Sequence, residues 1–153
     1  MINSSFIPHA LLLSVIGYNY FNNNGNLSNT KLLKSLVQFY ILAIGILFFV
    51  GNVTSPVKVA KSIGWDYNNG GYHKEAAIIN LAMATGALYT FINPNINVFR
   101  TVAVIYSAWI SCSLLIHFCD VMKNKNYSFN NLVAVPSGSL LVVILLSFLV
   151  HKV

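Results

Sequence analysis

Residues 35–53 read SLVQFYILAIGILFFVGNV, and this stretch decides the fold class. It contains 19 residues without a charged side chain, close to the roughly 20 residues that an α-helix needs to cross a bilayer. Three further apolar runs of similar length follow at residues 76–92, 98–119 and 132–150. The pattern predicts a chain that crosses a membrane several times as α-helices.

The composition of the whole chain favours the same fold class. Of the 153 residues, 56% are hydrophobic and 8% are charged, and the mean hydropathy is +0.67. Soluble domains carry about 25% charged residues. The three acidic residues, Asp66, Glu75 and Asp120, are too few for a carboxylate-rich hydrolase site. The net charge of +6 comes from nine Lys and Arg that mostly flank apolar segments, which favours lipid headgroups as partners and argues against nucleic acid.

A fifth apolar run, residues 6–21, is marginal as a membrane span. As a helix it would reach about 24 Å, whereas the hydrocarbon core of a bilayer is about 30 Å thick. The run lacks the basic start and the A-x-A-like end of a secretory signal, so we expect a retained helix. Because the connections are short, the sequence predicts one integral membrane domain over residues 1–153. Its fold class is all-α, a polytopic bundle of four or five transmembrane helices.

The segment between the first two long runs carries its own helix signals. Ser55 can cap a helix, Pro56 suits the first helical position, and Gly64 can end the helix in a left-handed conformation. Residues 56–63 are therefore predicted to form one short amphipathic helix at the membrane interface.

The side chains around this interfacial helix indicate contact with lipid headgroups. Lys58 and Lys61 fall on the side opposite the apolar residues, and Trp65 follows at the depth where aromatic side chains concentrate. The segment can serve as a structural re-entry element or as a lid over an intramembrane cavity. The sequence leaves both roles open.

Polar residues inside the apolar runs provide the candidate site. Gln38, Gly45 and Asn52 recur every seven residues and therefore share one helix face. A second polar face, on the run at 98–119 and just beyond it, contains Tyr106, Trp109, Ser113, His117 and Asp120. We expect the two faces to contact each other, because polar side chains in a membrane turn towards other helices.

Two further polar residues lie at the start of the run at 76–92. Glu75 stands where the helix dipole stabilises a carboxylate, and it is either an anchor in the headgroup layer or an inward-facing group for protons or cations. Asn80 lies on a different face of the same helix. We therefore do not expect Glu75 and Asn80 to form one site.

His117 and Asp120 are three residues apart and can touch on one helix face. Such a pair can form a proton relay, a ligand for a metal or haem, or a satisfied polar contact. Haem or metal at His117 is the minor alternative, and no other cofactor is indicated. The sequence contains no G-x-x-x-x-G-K, H-E-x-x-H, G-x-S-x-G or C-x-x-C motif, which favours a protein without enzymatic activity.

The run FVGNVTSPVKVAKSIGWDYNNGGYHKEAAIINLAMATGAL at residues 49–88, followed by SLLIHF at 113–118, resembles a family of small, uncharacterised prokaryotic membrane proteins. The positions that carry the resemblance are Val59 to Trp65, Glu75, Asn80 with Leu81, and His117. This chain has Asn52 where that family has His. The resemblance implies a bundle of four or five helices without known activity. We expect a multi-pass protein of the cell inner membrane if the source is prokaryotic, with an organellar membrane as the alternative.

Two functions from different classes fit these features. The first is an accessory or structural subunit that sits in the lipid bilayer and contacts other membrane subunits or further copies of itself. The alternative is an oligomeric transporter, channel or proton-handling bundle that uses Glu75, His117 and Asp120. A pore would require an oligomer, because five helices leave little interior once their own core is packed.

Overall fold

The computed structural model describes residues 6–67 and 71–153, and all regular secondary structure in these ranges is helical. The six helices are α1 (Ile7–Asn22), α2 (Asn29–Thr54), α3 (Pro56–Ser62), α4 (Gly71–Ile92), α5 (Ile96–Asn124) and α6 (Asn130–Lys152). Four of them, α2, α4, α5 and α6, are long and apolar enough to cross a membrane. The predicted all-α bundle of four or five long apolar helices with one short helix is confirmed.

The long helices extend beyond the apolar runs that predicted them. Helix α4 begins at Gly71, five residues before the apolar run, and α5 continues to Asn124, five residues after it. Helix α2 begins at Asn29, where Ser28 caps it by accepting a hydrogen bond from the backbone N–H of Lys31. Polar residues at helix ends satisfy free backbone groups and lower the local hydropathy, so apolar runs alone predict helices that are too short.

Five helices, all except α3, run up and down beside each other. The most extensive contacts are those of α2 with α4 and of α5 with α6. A Cβ atom added to Gly45 of α2 would lie 2.7 Å from the backbone oxygen of Asn80 in α4. The missing side chain at Gly45 therefore allows the two helices to approach closely.

The apolar core occupies one end of the bundle, where α2 and α5 begin and α4 and α6 end. Its largest fully buried side chains are Leu12, Leu33, Leu36, Ile41, Phe99, Tyr106, Leu146 and Leu149. We call this region the apolar end. At the opposite end, the buried side chains Asn52, His73, His117 and Asn131 are polar. We call that region, which includes α3, the polar end.

Helix α3 closes the polar end much as the sequence predicts. Ala60 is buried, whereas Lys58 and Lys61 are exposed. Gly64 ends the helix with a φ of +75°, in the left-handed region that favours glycine. Ser55 occupies the N-cap position, but its side chain makes no capping hydrogen bond. Ser55 therefore takes the predicted N-cap position without a capping hydrogen bond, and the glycine at the end of α3 is confirmed.

Candidate functional site

The carboxylate of Asp120, near the end of α5, is the centre of a polar network. Its Oδ2 atom accepts hydrogen bonds from Trp65 Nε1 at 2.7 Å, Asn126 Nδ2 at 2.7 Å and Asn131 Nδ2 at 3.0 Å. Its Oδ1 atom accepts a fourth from Asn124 Nδ2 at 2.7 Å. All four donors are neutral side chains, and hydrogen bonds to an ionised acceptor are the stronger kind.

His117 belongs to the same network but does not bond to Asp120 directly. Its Nδ1 atom lies 2.6 Å from Asn131 Oδ1. Because the amide nitrogen of Asn131 donates to Asp120 and to the backbone oxygen of Asn126, the amide oxygen is the acceptor and His117 carries a hydrogen on Nδ1. The imidazole also stacks on Trp65, with ring centroids 5.4 Å apart. Asn131 therefore bridges the predicted pair of His117 and Asp120.

The connection between α5 and α6 also holds the end of α3. Asn126 Nδ2 lies 2.9 Å from the backbone oxygen of Ile63 and 3.1 Å from that of Gly64. Ser128 Oγ donates to the same Ile63 oxygen at 2.9 Å. A Cβ atom added to Gly64 would lie 2.5 Å from Asn126 Oδ1, so the contact requires glycine. Side chains from a distant part of the chain thus satisfy carbonyl groups at the end of α3.

A second histidine–asparagine pair joins α2 to α4. His73 Nδ1 lies 2.8 Å from Asn52 Oδ1, and Asn52 Nδ2 donates to the Phe48 backbone oxygen at 2.8 Å. His73 therefore also carries a hydrogen on Nδ1. The ring of Tyr72 connects the two groups, since its centroid lies 5.6 Å from His73 and 5.2 Å from Trp65. The polar end therefore contains two buried histidines, each fixed by an asparagine oxygen.

The predicted contact between the polar faces of α2 and α5 is not formed at Gly45, Asn52, His117 or Asp120. Asn52 pairs with His73, and Gly45 lies against α4. His117 and Asp120 instead bond to side chains after α5 and to Trp65. The physical reason is that α2 packs against α4, which lies along the part of α2 that contains Gly45 and Asn52.

The remaining predicted residues lie outside the network. Glu75 is exposed in the second turn of α4, because the helix begins at Gly71, so its predicted place in the first turn is wrong. Gln38 and Ser113 are half-buried. Asn80 is buried, and its amide nitrogen donates to the Ala76 backbone oxygen of its own helix at 2.7 Å. A role of these residues in ion or proton handling stays a prediction.

Several residues of the polar end were not singled out in the sequence, among them His73, Asn126 and Asn131. The two asparagines lie in an asparagine-rich chain, where a structural role is hard to distinguish from composition. His73 had a usable signal, because it lies seven residues before the buried Asn80 and therefore shares its helix face.

The chemistry that this arrangement supports is hydrogen bonding by a carboxylate, amides and imidazoles. Within the described residues, no group of three or more His, Cys, Asp or Glu side chains is placed to hold a metal ion. The two cysteines, Cys112 and Cys119, are exposed on α5, away from His117 on the helix surface. The donors and acceptors instead join three segments, namely the end of α3, the end of α5 and the start of α6.

Comparisons with known proteins give one match. Residues 4–152 match the model of a family described as a family of unknown function (DUF6790). No curated protein and no solved structure matches the chain. The sequence resembles a family of uncharacterised proteins, and the match to a family of unknown function agrees with that resemblance. Because the match covers nearly the whole chain, the protein belongs to DUF6790, a family of unknown function.

Proposed function

We propose that this protein is a small multi-pass membrane protein with a structural, accessory role in the bilayer. Support for the membrane comes from the outer surface of the bundle. In α5, only 17% of an apolar stretch of 18 residues is buried, and large side chains such as Ile105, Leu115 and Phe118 are exposed. Exposed apolar surface of this extent requires lipid or a partner to cover it.

The hydrogen bonds of Asp120 support a structural role. A carboxylate that carries protons or cations must exchange its partners during each cycle, whereas four simultaneous donors hold this carboxylate in one place. These donors come from Trp65 after α3 and from residues at and after the end of α5. The network therefore fixes α3 and Trp65 on the polar end of the bundle. This fixation is the main support for a structural role.

The packing of the interior supports the same role. Phe99 and Tyr106 of α5 are both 1% exposed, and the Tyr106 ring contacts Tyr40 of α2 at a centroid distance of 6.5 Å. Large side chains therefore fill the space between α2 and α5, as in a close-packed core. In an accessory subunit, the outer apolar faces are then available to lipid, to other membrane subunits or to further copies of the chain.

A second candidate function is proton handling by an oligomer. It is favoured by the two buried histidines, His73 and His117, because a neutral imidazole with a hydrogen on Nδ1 keeps a lone pair on Nε2. Under this alternative, His117, Asp120 and the exposed Glu75 take part in proton transfer. It requires that substitutions of these residues abolish a proton flux while the fold is retained.

Limited trypsin digestion tests the structural role of the network. In Asp120→Ala, we expect faster cleavage after Lys58 and Lys61, because α3 loses the contacts of Trp65 that hold it, and cleavage requires local unfolding. Cleavage after Lys31 serves as the internal control, and Glu75→Ala is the matched loss of a carboxylate elsewhere. Equal cleavage of α3 in both variants would contradict the proposal.

An alkaline carbonate wash tests the membrane location, and native mass spectrometry tests the accessory role. The chain should stay in the membrane fraction after an alkaline carbonate wash, and extraction in mild detergent should recover it with other subunits in fixed stoichiometry. Release by the wash would overturn the membrane assignment. A pure homo-oligomer that conducts protons in liposomes, and loses this flux in His117→Ala, would favour the second candidate.

A further inference from the structure

A surface cleft runs along the polar end, from the outer face of α5 to the residues after α3. One half is mostly apolar and is lined by Leu115, Ile116, Cys119 and Lys123. The other half is mostly polar and is lined by Gly64, Asp66 and Asn126. Trp65, Asp120 and Asn124 line both halves, so the two are adjacent.

We propose that this cleft binds one zwitterionic phospholipid. Lys123 contacts the phosphate, Asp66 and Asp120 contact the ammonium group, and Leu115 and Ile116 contact the upper part of an acyl chain. The proposal rests on the membrane assignment made above. It adds a ligand of defined chemistry to the polar end, where the network around Asp120 forms one wall of the cleft.

The distribution of charge points to a headgroup with both signs. The chain carries nine Lys and Arg but only three acidic residues, and two of these three line this cleft. A basic protein attracts anionic lipids at many places on its surface. A cleft that combines Lys123 with Asp66 and Asp120 is instead complementary to a phosphate linked to an ammonium group.

The positions of Lys123 and Asp120 on α5 are compatible with the same ligand. Lys123 follows Asp120 by three residues, so their backbone positions are about 4.5 Å apart along the helix axis. This is the scale of the two-carbon link between the phosphate and the nitrogen of a phospholipid headgroup. The Oδ1 atom of Asp120 accepts a hydrogen bond from Asn124, whereas Oδ2 accepts three, so Oδ1 keeps acceptor capacity for an ammonium hydrogen.

The length of α5 places the cleft at the depth of the lipid headgroups. Its 29 residues extend about 43 Å, whereas the hydrocarbon core measures about 30 Å and the headgroup layers bring the bilayer to about 40–45 Å. The last turns of α5, with Asp120 and Lys123, therefore reach the headgroup layer. Leu115, about one and a half turns before Asp120, is 64% exposed at the level where acyl chains begin.

Lipid titration of the purified full-length chain, followed by native mass spectrometry, tests the proposal. Phosphatidylethanolamine and phosphatidylglycerol with identical acyl chains are compared, since both carry the phosphate and only the first carries the ammonium group. We expect one phosphatidylethanolamine per chain at lipid concentrations where phosphatidylglycerol is not retained. Equal retention of both lipids would overturn the proposal.

Two pairs of variants locate the lipid. Asp66→Asn should weaken phosphatidylethanolamine binding roughly fivefold, the order of magnitude of one exposed charge pair, while Glu75→Gln should leave it unchanged. Lys123→Gln should weaken binding of both lipids, while Lys125→Gln, which changes a neighbouring lysine outside the cleft, should not. Equal effects of the two members of either pair would contradict the assignment.

Two further controls separate the alternatives. Phosphoethanolamine added at the concentration of the lipid should not displace phosphatidylethanolamine, because it lacks the acyl chain that contacts Leu115 and Ile116. Displacement would overturn the lipid assignment in favour of a soluble ligand. Retention of the chain in washed membranes is measured separately, so a chain that stays in the membrane but does not discriminate between lipids refutes the cleft alone.

Discussion

The two ends of the bundle are held together in different ways. At the apolar end, side chains such as Leu33 and Phe99 are buried by close packing. At the polar end, Asn131 bridges His117 to Asp120 by hydrogen bonds, and Trp65 donates a further hydrogen bond to Asp120. Packing depends mainly on volume and tolerates many apolar sequences, whereas hydrogen bonds require particular atoms at particular distances.

This difference indicates where the specificity of the fold lies. The apolar end can form wherever long apolar helices meet, because dispersion and burial are not directional. The polar end selects one arrangement, since a buried donor or acceptor without its partner is costly. Side-chain hydrogen bonds between segments are concentrated around Asp120 and around the pair of His73 and Asn52, while the apolar end includes one between Ser35 and the buried Asn19.

The largest expected effect concerns packing at the apolar end. Phe99→Ala should lower the free energy of unfolding by about 4 kcal/mol, because it removes a fully buried ring and leaves a cavity. Denaturation in mild detergent, followed by circular dichroism, measures the change. Phe118→Ala is the matched control on the same helix, since this ring is exposed, and it should change stability by about 0.5 kcal/mol or less.

If both phenylalanine variants lose the same stability, packing inside the bundle does not hold the apolar end. The two ends of the bundle would then not differ in the way that the interpretation above requires.

The next effect concerns the centre of the polar end. Asp120→Ala should lower the free energy of unfolding by about 3 kcal/mol, because four side-chain donors lose a charged acceptor. The same denaturation measures it. Glu75→Ala removes an exposed carboxylate and should have little effect. Equal stabilities of the two variants would show that the network does not stabilise the polar end.

The two histidine–asparagine pairs should differ in strength. Asn131→Ala should cost about 2 kcal/mol, because Asn131 bonds to His117, to Asp120 and to the Asn126 backbone. Asn52→Ala should cost about 1 kcal/mol, because its one bond to another helix is that to His73. Chemical denaturation of both variants in parallel gives the ratio, and a larger loss in Asn52→Ala would reverse the order that the contacts predict.

The last expected effect concerns Trp65. Trp65→Phe should cost about 1 kcal/mol, because Asp120 keeps three of its four donors and the aromatic contact with His117 is retained. Trp65→Ala should cost more, since it also removes the ring that stacks on His117. Thermal unfolding of the two variants separates the hydrogen bond from the stacking, and equal losses would mean that stacking contributes nothing.

Much of the architecture follows from local features of the sequence. Apolar runs close to the length that crosses a bilayer predict the long helices, and Pro56 with Gly64 predicts the short helix between α2 and α4. Of the candidate site residues, Trp65, His117 and Asp120 do meet in the structure. Glu75 lies apart from them. Periodicity identifies which residues share a face of one helix, and it carries no information about the neighbouring helix.

The sequence by itself therefore determines the helical class, the apolar runs, the position of α3 and the scarcity of acidic groups. Only the tertiary structure decides that Asn52 pairs with His73, and that Asn131 bridges His117 to Asp120. The physical reason is that helix formation depends on residues within a few positions along the chain. Hydrogen bonds between segments depend on which helices pack together, and Gly45 and the turn at Gly64 control that through close approach.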